Sequence, residues 1–570
     1  MDPVKFRTIS WRSVSRLPLL LFLGGWLIST DATAVGTWVP LNNLAPDYIG
    51  MMLLLPDGTV MASDGGSNHW YRLTPDSSGS YVNGTWSTLS PMNDTRLYFA
   101  SDVLRDGRIF IAGGEYGTGT ATAEVYNPLS NTWTRATVPL TLLNPSQPSP
   151  AAGGNQAFAD AISAVLPNGN VMIAPVYSRT VGGTLIYNST SNAWSAGPDF
   201  FRVGYPDQAE ASWVKLADGS ILTVDPFGTN SERYVPSLNR WINDAHVPVS
   251  LYDTNGELGA ALLLSDGRAL FLGGTGHTAI YTPTGTTNLG SWATGPELPD
   301  GQGASDAPAA MLVNGKILCA TGPAQTFNPP VSFYEYDPAA NSFTAVDAPD
   351  GSSALGFAYP FATTMLDLPD GSVLFTYFDV QLYVYQPDGS PLATGKPGIN
   401  SITPNADGSY HLSGTKLNGI SQGAAYGDDA QMDSNYPIVR MTNSTGNVFY
   451  ARTSGWSSTG VMTGNTPVTT EFTLPPGLPV GKYSLVVVAN GNSSDPVAFV
   501  TLVPLQIALS GGKAVLTWPS SATNAVLETT TNLSSGSWTM LTNGVALVST
   551  NFVLTNSLNS RSAFYRLSGR

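Results

Sequence analysis

Cysteine is almost missing from this chain: Cys319 stands alone among 570 residues. No intramolecular disulfide can hold the fold, so stability has to come from packed cores. Charge is scarce too, at 11 % Asp, Glu, Lys and Arg, and it leans acidic, with a formal net charge of −15. That balance argues against nucleic acid or an anionic membrane surface as the main partner. Only four histidines are present, His69, His246, His277 and His411, and no two share a ligand spacing such as His-x-His. Each reads as a surface or hydrogen-bonding residue. Beyond residue 34 the chain lacks sustained 3.6-residue amphipathic periodicity and any apolar run long enough to span a bilayer. It also lacks a sialidase-type Asp box, a nucleophile elbow, a phosphate loop and a zinc motif.

The first 34 residues differ from the rest. A basic segment (Lys5, Arg7, Arg12, Arg16) precedes the apolar LPLLLFLGGWLI, and Ala32-Thr33-Ala34 suits signal peptidase. The apolar stretch is about a dozen residues, short of the roughly 18 to 20 needed to cross a bilayer. This pattern predicts a cleaved signal peptide over 1–34, a secreted or cell-envelope location, and no transmembrane span in the mature chain. Its removal takes the net charge to −17.

What is abundant is Gly, Pro, Asn, Thr, Ser and Trp, the composition of many short strands joined by turns. A unit of apolar strand, Asp-Gly or Asn-Gly, and second apolar strand recurs as LLLPDGTVMA, DVLRDGRIFIAGG, AVLPNGNVMIA, VKLADGSILTV, LLLSDGRALFLGG, MLVNGKILCA and LDLPDGSVLF. The turn residues are Asp57, Asp106, Asn168, Asp218, Asp266, Asn314 and Asp370, spaced by 49, 62, 50, 48, 48 and 56. Each copy predicts a hairpin whose turn needs positive backbone angles. A tyrosine marks a third strand after each hairpin: Tyr126, Tyr187, Tyr234, Tyr281, Tyr336, Tyr385 and, more loosely, Tyr71. Seven residues later comes Trp133, Trp194, Trp241 or Phe343, with Trp86 and Trp292 after longer turns. Tyr385 has no following aromatic, whereas Trp38 is unassigned, so the first strand is expected to complete the last four-stranded unit.

Four-stranded units of about 50 residues with Gly-Gly and Trp landmarks resemble kelch repeats. The expected fold is all-β: a seven-bladed kelch-type β-propeller over 35–396, an immunoglobulin-like β-sandwich over 397–504, and a small C-terminal β domain over 505–570. That last module reads as an adhesion or export element.

A kelch propeller followed by an immunoglobulin-like domain resembles the galactose oxidase and glyoxal oxidase family of copper radical enzymes. In that family copper is held by two tyrosines and two histidines, and one tyrosine is cross-linked to a cysteine. TRLYFASDVLRDG matches the lead-in to the cross-linked tyrosine with Arg96 and Tyr98. The cysteine's neighbourhood holds Tyr48, Ile49 and Gly50, and Cys319 falls in the sixth repeat. The Tyr-His pair reads Tyr359-Pro360, and Gln431 stands where the second histidine aligns. Both tyrosines are kept while the cysteine and both histidines are not, so copper and oxidase chemistry are not expected.

In a propeller the segments entering the innermost strands converge on one mouth of the channel. Those segments carry Arg96, Tyr98, Tyr205, Asp207, Glu210, Asp253, Glu257, Asp306 and Tyr359, the candidate ligand-binding residues. Aromatic faces beside carboxylates suit sugar rings, and the same oxygens suit Ca²⁺. The expectation is a secreted, non-catalytic propeller binding a glycan or a surface protein, with no cofactor required and Ca²⁺ left open. Two alternatives remain. One is a carbohydrate-active hydrolase or lyase using a pair such as Asp207 and Glu210 as acid and base. The other is a structural or adhesion protein of the cell envelope in which the C-terminal modules make the contacts.

Overall fold

The structure, a computed structural model, describes residues 35–114, 122–143, 158, 161–174, 182–202, 208, 211–225, 228–425, 431–501, 505–520, 522, 525–558 and 562–569. The expected signal peptide lies outside the described residues. Among those described, no helix is long and apolar enough to cross a membrane.

Between residues 37 and 386 the strands group into seven four-stranded antiparallel sets. The physics of one turn repeats in all of them. The glycines of the Asp-Gly and Asn-Gly pairs (Gly58, Gly107, Gly169, Gly219, Gly267, Gly315 and Gly371) have φ between 75 and 93°. The Asp or Asn before each keeps a negative φ, and its side chain accepts a hydrogen bond from the backbone N–H two residues on, as Asp57 does from Thr59 at 3.1 Å and Asn168 from Asn170 at 3.0 Å. Only the glycine therefore needs the left-handed region. This is a type I turn closed by a glycine bulge, rather than a two-residue turn with both angles positive.

The aromatic markers are cross-strand partners between third and fourth strands. Tyr126 faces Trp133, Tyr187 faces Trp194, Tyr234 faces Trp241, and Tyr336 faces Phe343, with ring centroids 5.0 to 5.7 Å apart. Each tyrosine hydroxyl donates to an asparagine five residues on, from Tyr126 to Asn131 at 2.9 Å and from Tyr336 to Asn341 at 2.8 Å. Those asparagines sit at φ near +50° and form the turn themselves. The first set departs from the pattern: Trp86 faces Leu73, not Tyr71, whose hydroxyl turns toward Asp47 instead.

Closure follows the expected route. Thr37–Pro40 pairs antiparallel with Tyr383–Gln386, placing Trp38 opposite Tyr385 with ring centroids at 4.8 Å. Trp38 also touches Phe333 and Phe375 and donates its indole N–H to the Asp347 carbonyl.

Eight of the strands from Gly398 to Val500 form one sheet around a core of Leu412, Val439, Met441, Phe472, Leu485 and Val487. This domain docks on the Asp-Gly end of the propeller. Thr453 N–H donates to Pro56, Trp456 N–H to Arg105, and Tyr436 hydroxyl to Leu54, all backbone carbonyls. A hairpin of the same domain, Gly423–Ala425 and Gln431–Asp433, enters the centre of the propeller. There Ala424 and Ala425 pair with Ala310 and Ala309, and the hairpin borders the inner strands Ile49–Leu54, Ala100–Val103, Leu258–Leu263 and Thr364–Asp367. From Gln506 to Gly569 a four-stranded and a three-stranded sheet enclose a small core of Leu516, Trp518, Leu527 and Leu554.

Candidate functional site

With one end of the propeller covered by the following domain, the open end is where the inner strands begin. The stretch FAYPFATTM shows how that end is built. Pro360 takes the first position of a short 3-10 turn, Pro360–Ala362, where its fixed φ and missing N–H cost nothing. Thr363 closes the turn with both its N–H and its hydroxyl on the Pro360 carbonyl. The inner strand Thr364–Asp367 starts directly after it. The turn projects Tyr359 outward, 44 % exposed, its ring tilted against that of Phe361 with centroids 5.3 Å apart. Phe361 in turn meets Phe327 edge-on, and Phe357 nearby is 96 % exposed.

Phe361 and Tyr98 line one apolar pocket with Met51, Phe99, Gly65 and Phe378. Tyr98 has φ 48, a left-handed conformation that is costly for an aromatic residue and that gathers at functional sites. Phe378, also left-handed at φ 58, lays its ring over Gly65 and Gly50.

Arg96 supports this pocket from beneath. Its buried guanidinium donates to the Gly113 and Thr122 carbonyls at 2.5 and 3.0 Å and pairs with Glu124 at 3.1 Å. Glu124, on the third strand, also receives the N–H groups of Asn93 and Asp94, and so holds the whole lead-in to Tyr98. Glu232 does the same for Phe201 and Arg202, and burial lifts its carboxyl to about 7. Glu124 and Glu232 each stand two residues before a marker tyrosine, a placement legible in AEVY and SERY.

The acidic candidates that are described are Asp253, Glu257 and Asp306, and the loop after Asp253 is joined to the Phe327 segment by Thr254 N–H on the Gln325 side-chain oxygen at 3.1 Å. Asp253 is buried and accepts three backbone N–H bonds, from Asn255, Gly256 and Glu257, and one from the Ser305 hydroxyl at 2.7 Å. Glu257 is buried beside it, and Asp306, at φ 47, follows Ser305. Asp253 thus acts as a loop cap. Tyr205, Asp207 and Glu210 lie outside the described residues.

Below the mouth, the channel holds charges that the apolar look of the inner strands conceals. Lys215 is buried with its ammonium on the Thr459 carbonyl at 3.0 Å, near Asp102 and Asp433. Asp102 accepts from the Ser163 hydroxyl at 2.6 Å and Asp433 from Gln422 at 3.2 Å. Burial pushes both carboxyls up and the Lys215 ammonium down, while the opposite charges pull back. Asp367 accepts from the Ser434 hydroxyl at 3.2 Å, and burial lifts it to about 8. Asp102 in ASDV, Lys215 in VKL and Asp367 in TMLD were the signal: one charge in an otherwise buried strand.

The residues do not fit a copper radical centre. Pro360 offers no donor to a metal, and its ring is seated against Gly322. Gln431 lies in the central hairpin, buried, its backbone carbonyl accepting from the Ser101 hydroxyl at 3.0 Å, and its side-chain amide is no substitute for an imidazole. A side chain on position 50 would meet Gly65 at 3.0 Å and the Phe378 ring at 3.4 Å. Cys319 is packed in a separate core cluster from the one Tyr98 adjoins, and burial raises its thiol far above the usual range.

Residues 96–137 match the kelch motif. No curated protein matches this chain. Among solved structures it is similar to a fungal alcohol oxidase of the AA5 family in complex with copper, 15 % identical, covering 82 % of this chain and 99 % of that one, with a TM-score of 0.46. It is also similar to a catalytically inactive variant of virginiamycin B lyase from Staphylococcus aureus with quinupristin, 11 % identical over 61 % of this chain and 99 % of that one, TM-score 0.43. A third is YCF48 from Cyanidioschyzon merolae, 12 % identical over 61 % and 98 %, TM-score 0.39. The chain thus carries one kelch motif within an all-β fold built from four-stranded antiparallel sets.

Proposed function

We propose that this protein is an exported, non-catalytic kelch propeller that binds a carbohydrate at the open mouth. The observation that carries this reading is the aromatic surface of Phe357, Tyr359 and Phe361 beside the Tyr98 pocket. Exposed aromatic rings offer flat apolar faces to the C–H side of a sugar ring at little conformational cost, and the hydroxyls of Tyr98 and Tyr359 can serve its oxygens. The absence of a copper ligand set supports binding without oxidation. Asp253 is engaged in holding its loop rather than poised as an acid or base.

The test is a mixed glycan library incubated with the protein, with mass spectrometry of the retained and the free fractions. Retention without a change of mass supports the reading. New product masses would make the protein an enzyme, and retention of proteins alone would move the ligand class. The Tyr359→Ala variant should lose at least about tenfold in affinity, corresponding to roughly 1.4 kcal/mol, with an unchanged melting temperature.

A further inference from the structure

The first blade carries a second grouping at the rim that the ligand-binding reading does not use. The turn Ser63-Asp64-Gly65-Gly66-Ser67-Asn68-His69 folds back on itself, with Asp64 N–H on the His69 carbonyl at 3.1 Å. Gly65 N–H reaches the Tyr48 carbonyl at 3.0 Å, which brings the preceding loop, and with it Asp47, against the turn. Ligand atoms of Asp47, Asp64 and His69 then lie within 4.8 Å of one another. Asp64 Oδ2 and His69 Nδ1 are 3.8 Å apart, and a tetrahedral ion with bonds of about 2.0–2.2 Å sets its donors about 3.3–3.6 Å apart. Small side-chain rotations of the exposed His69 close that difference.

Charge makes the grouping notable. Among the described residues no lysine or arginine forms an ion pair with Asp47 or Asp64. The neighbouring Tyr71 hydroxyl points at Asp47 Oδ2 at 3.4 Å. Tyr71 is also the marker tyrosine that gives up the repeat's usual aromatic partner. Asp64 accepts from the Ser67 hydroxyl at 2.6 Å and the Gly66 N–H at 3.1 Å, and Asp47 from the Tyr48 N–H at 2.9 Å, so the two carboxylates are held by neutral donors and, with one imidazole, form a mixed oxygen and nitrogen set. Such a set suits a borderline divalent cation better than Ca²⁺, which takes six to eight oxygens.

We propose that Asp47, Asp64 and His69 form a binding site for one divalent transition-metal ion, with Zn²⁺ as its representative, at the rim of the mouth. The site shares no residue with the positions aligned to the family's copper ligands and stands whether or not the aromatic surface binds a glycan. Asp64 lines the Tyr98 pocket as well, so the ion's open positions adjoin that pocket.

Calorimetric titration of ZnCl₂ into the full chain tests this, with CaCl₂ titrated in parallel. One Zn²⁺ per chain is expected, weakened at least about tenfold by His69→Ala and by Asp47→Asn. The His277→Ala variant, which breaks only the exposed pair with Glu297, should bind as the parent does. Circular dichroism confirms that the variants are folded, and His69, being exposed, is not needed for packing. Failure to see saturable one-to-one binding would overturn the site, as would binding that survives both substitutions. Calcium binding lost in Asp47→Asn but kept in His69→Ala would overturn the transition-metal assignment. As a second readout, Co²⁺ bound to the parent should show visible absorption bands that change in His69→Ala.

Discussion

The two ends of the propeller are built differently. At the hairpin end, seven glycines with φ of 75 to 93° and seven Asp or Asn caps repeat one turn, and the next domain bonds to the backbone that these turns present. At the mouth end the lead-ins that carry Tyr98, Tyr359 and Asp253 differ from one another. One enters through a left-handed tyrosine, one through a proline turn with exposed aromatics, and one through an Asp253 cap. Where a local rule is obeyed seven times, the residues are serving the scaffold. The departures gather at the open end, and strained or exposed side chains persist there because the repeated end supplies the stability.

The largest effect should come from a mouth residue that belongs to the scaffold. Arg96→Ala leaves Glu124 buried without its cation and should cost about 3–5 kcal/mol in denaturant unfolding. Tyr359→Ala, a few ångströms of chain from the same pocket, should leave stability alone and affect binding only. If both behaved alike, the division between anchoring and contacting residues at the mouth would fail.

Next is the closing strand. Trp38→Ala removes a half-buried ring that touches Tyr385, Phe333 and Phe375, and a loss of about 3 kcal/mol is expected. A null result would mean that the ring is held closed elsewhere.

Asp367 sharpens the contrast between inside and rim. Its carboxyl, lifted to about 8, is protonated in the folded chain and ionised in the unfolded one between about pH 4 and pH 8. The folded state then binds the extra proton, so stability should fall as pH rises through that window. In Asp367→Asn, with no proton to lose, most of the melting-temperature difference between pH 5 and pH 8.5 that Asp367 contributes should disappear. An unchanged profile would show that Asp367 does not titrate there.

The smallest effect tests the repeat itself. Asn131→Ala removes the acceptor of the Tyr126 hydroxyl and strains a backbone at φ 52, costing about 1–2 kcal/mol. Asn131→Gly should recover the backbone part only. Equal losses in the two variants would show that the left-handed turn contributes nothing.

Much of this architecture is written in local sequence. Asp-Gly spacing, the Tyr and Trp seven residues apart, and the orphan Trp38 all reflect interactions between strands adjacent in the chain, where turn chemistry and side-chain register act without help from distant residues. The missing copper ligands were legible for the same reason, since a proline at position 360 and a glutamine at position 431 lack imidazole in any fold. The mouth was readable as a region but not in its roles: Arg96 and Asp253 look like ligand contacts in sequence, and only their burial and partners show them holding loops. Three things depended on tertiary structure alone. Asp102, Lys215 and Asp433 meet because three distant strands share one channel. Phe361 and Tyr98 share a pocket because the ring closes between the first and last blades. Asp47 reaches Asp64 and His69 because a loop is pinned by one backbone hydrogen bond. Adjacent strands are specified by local geometry, whereas encounters across the ring depend on the whole chain closing, and no short window of sequence contains that information.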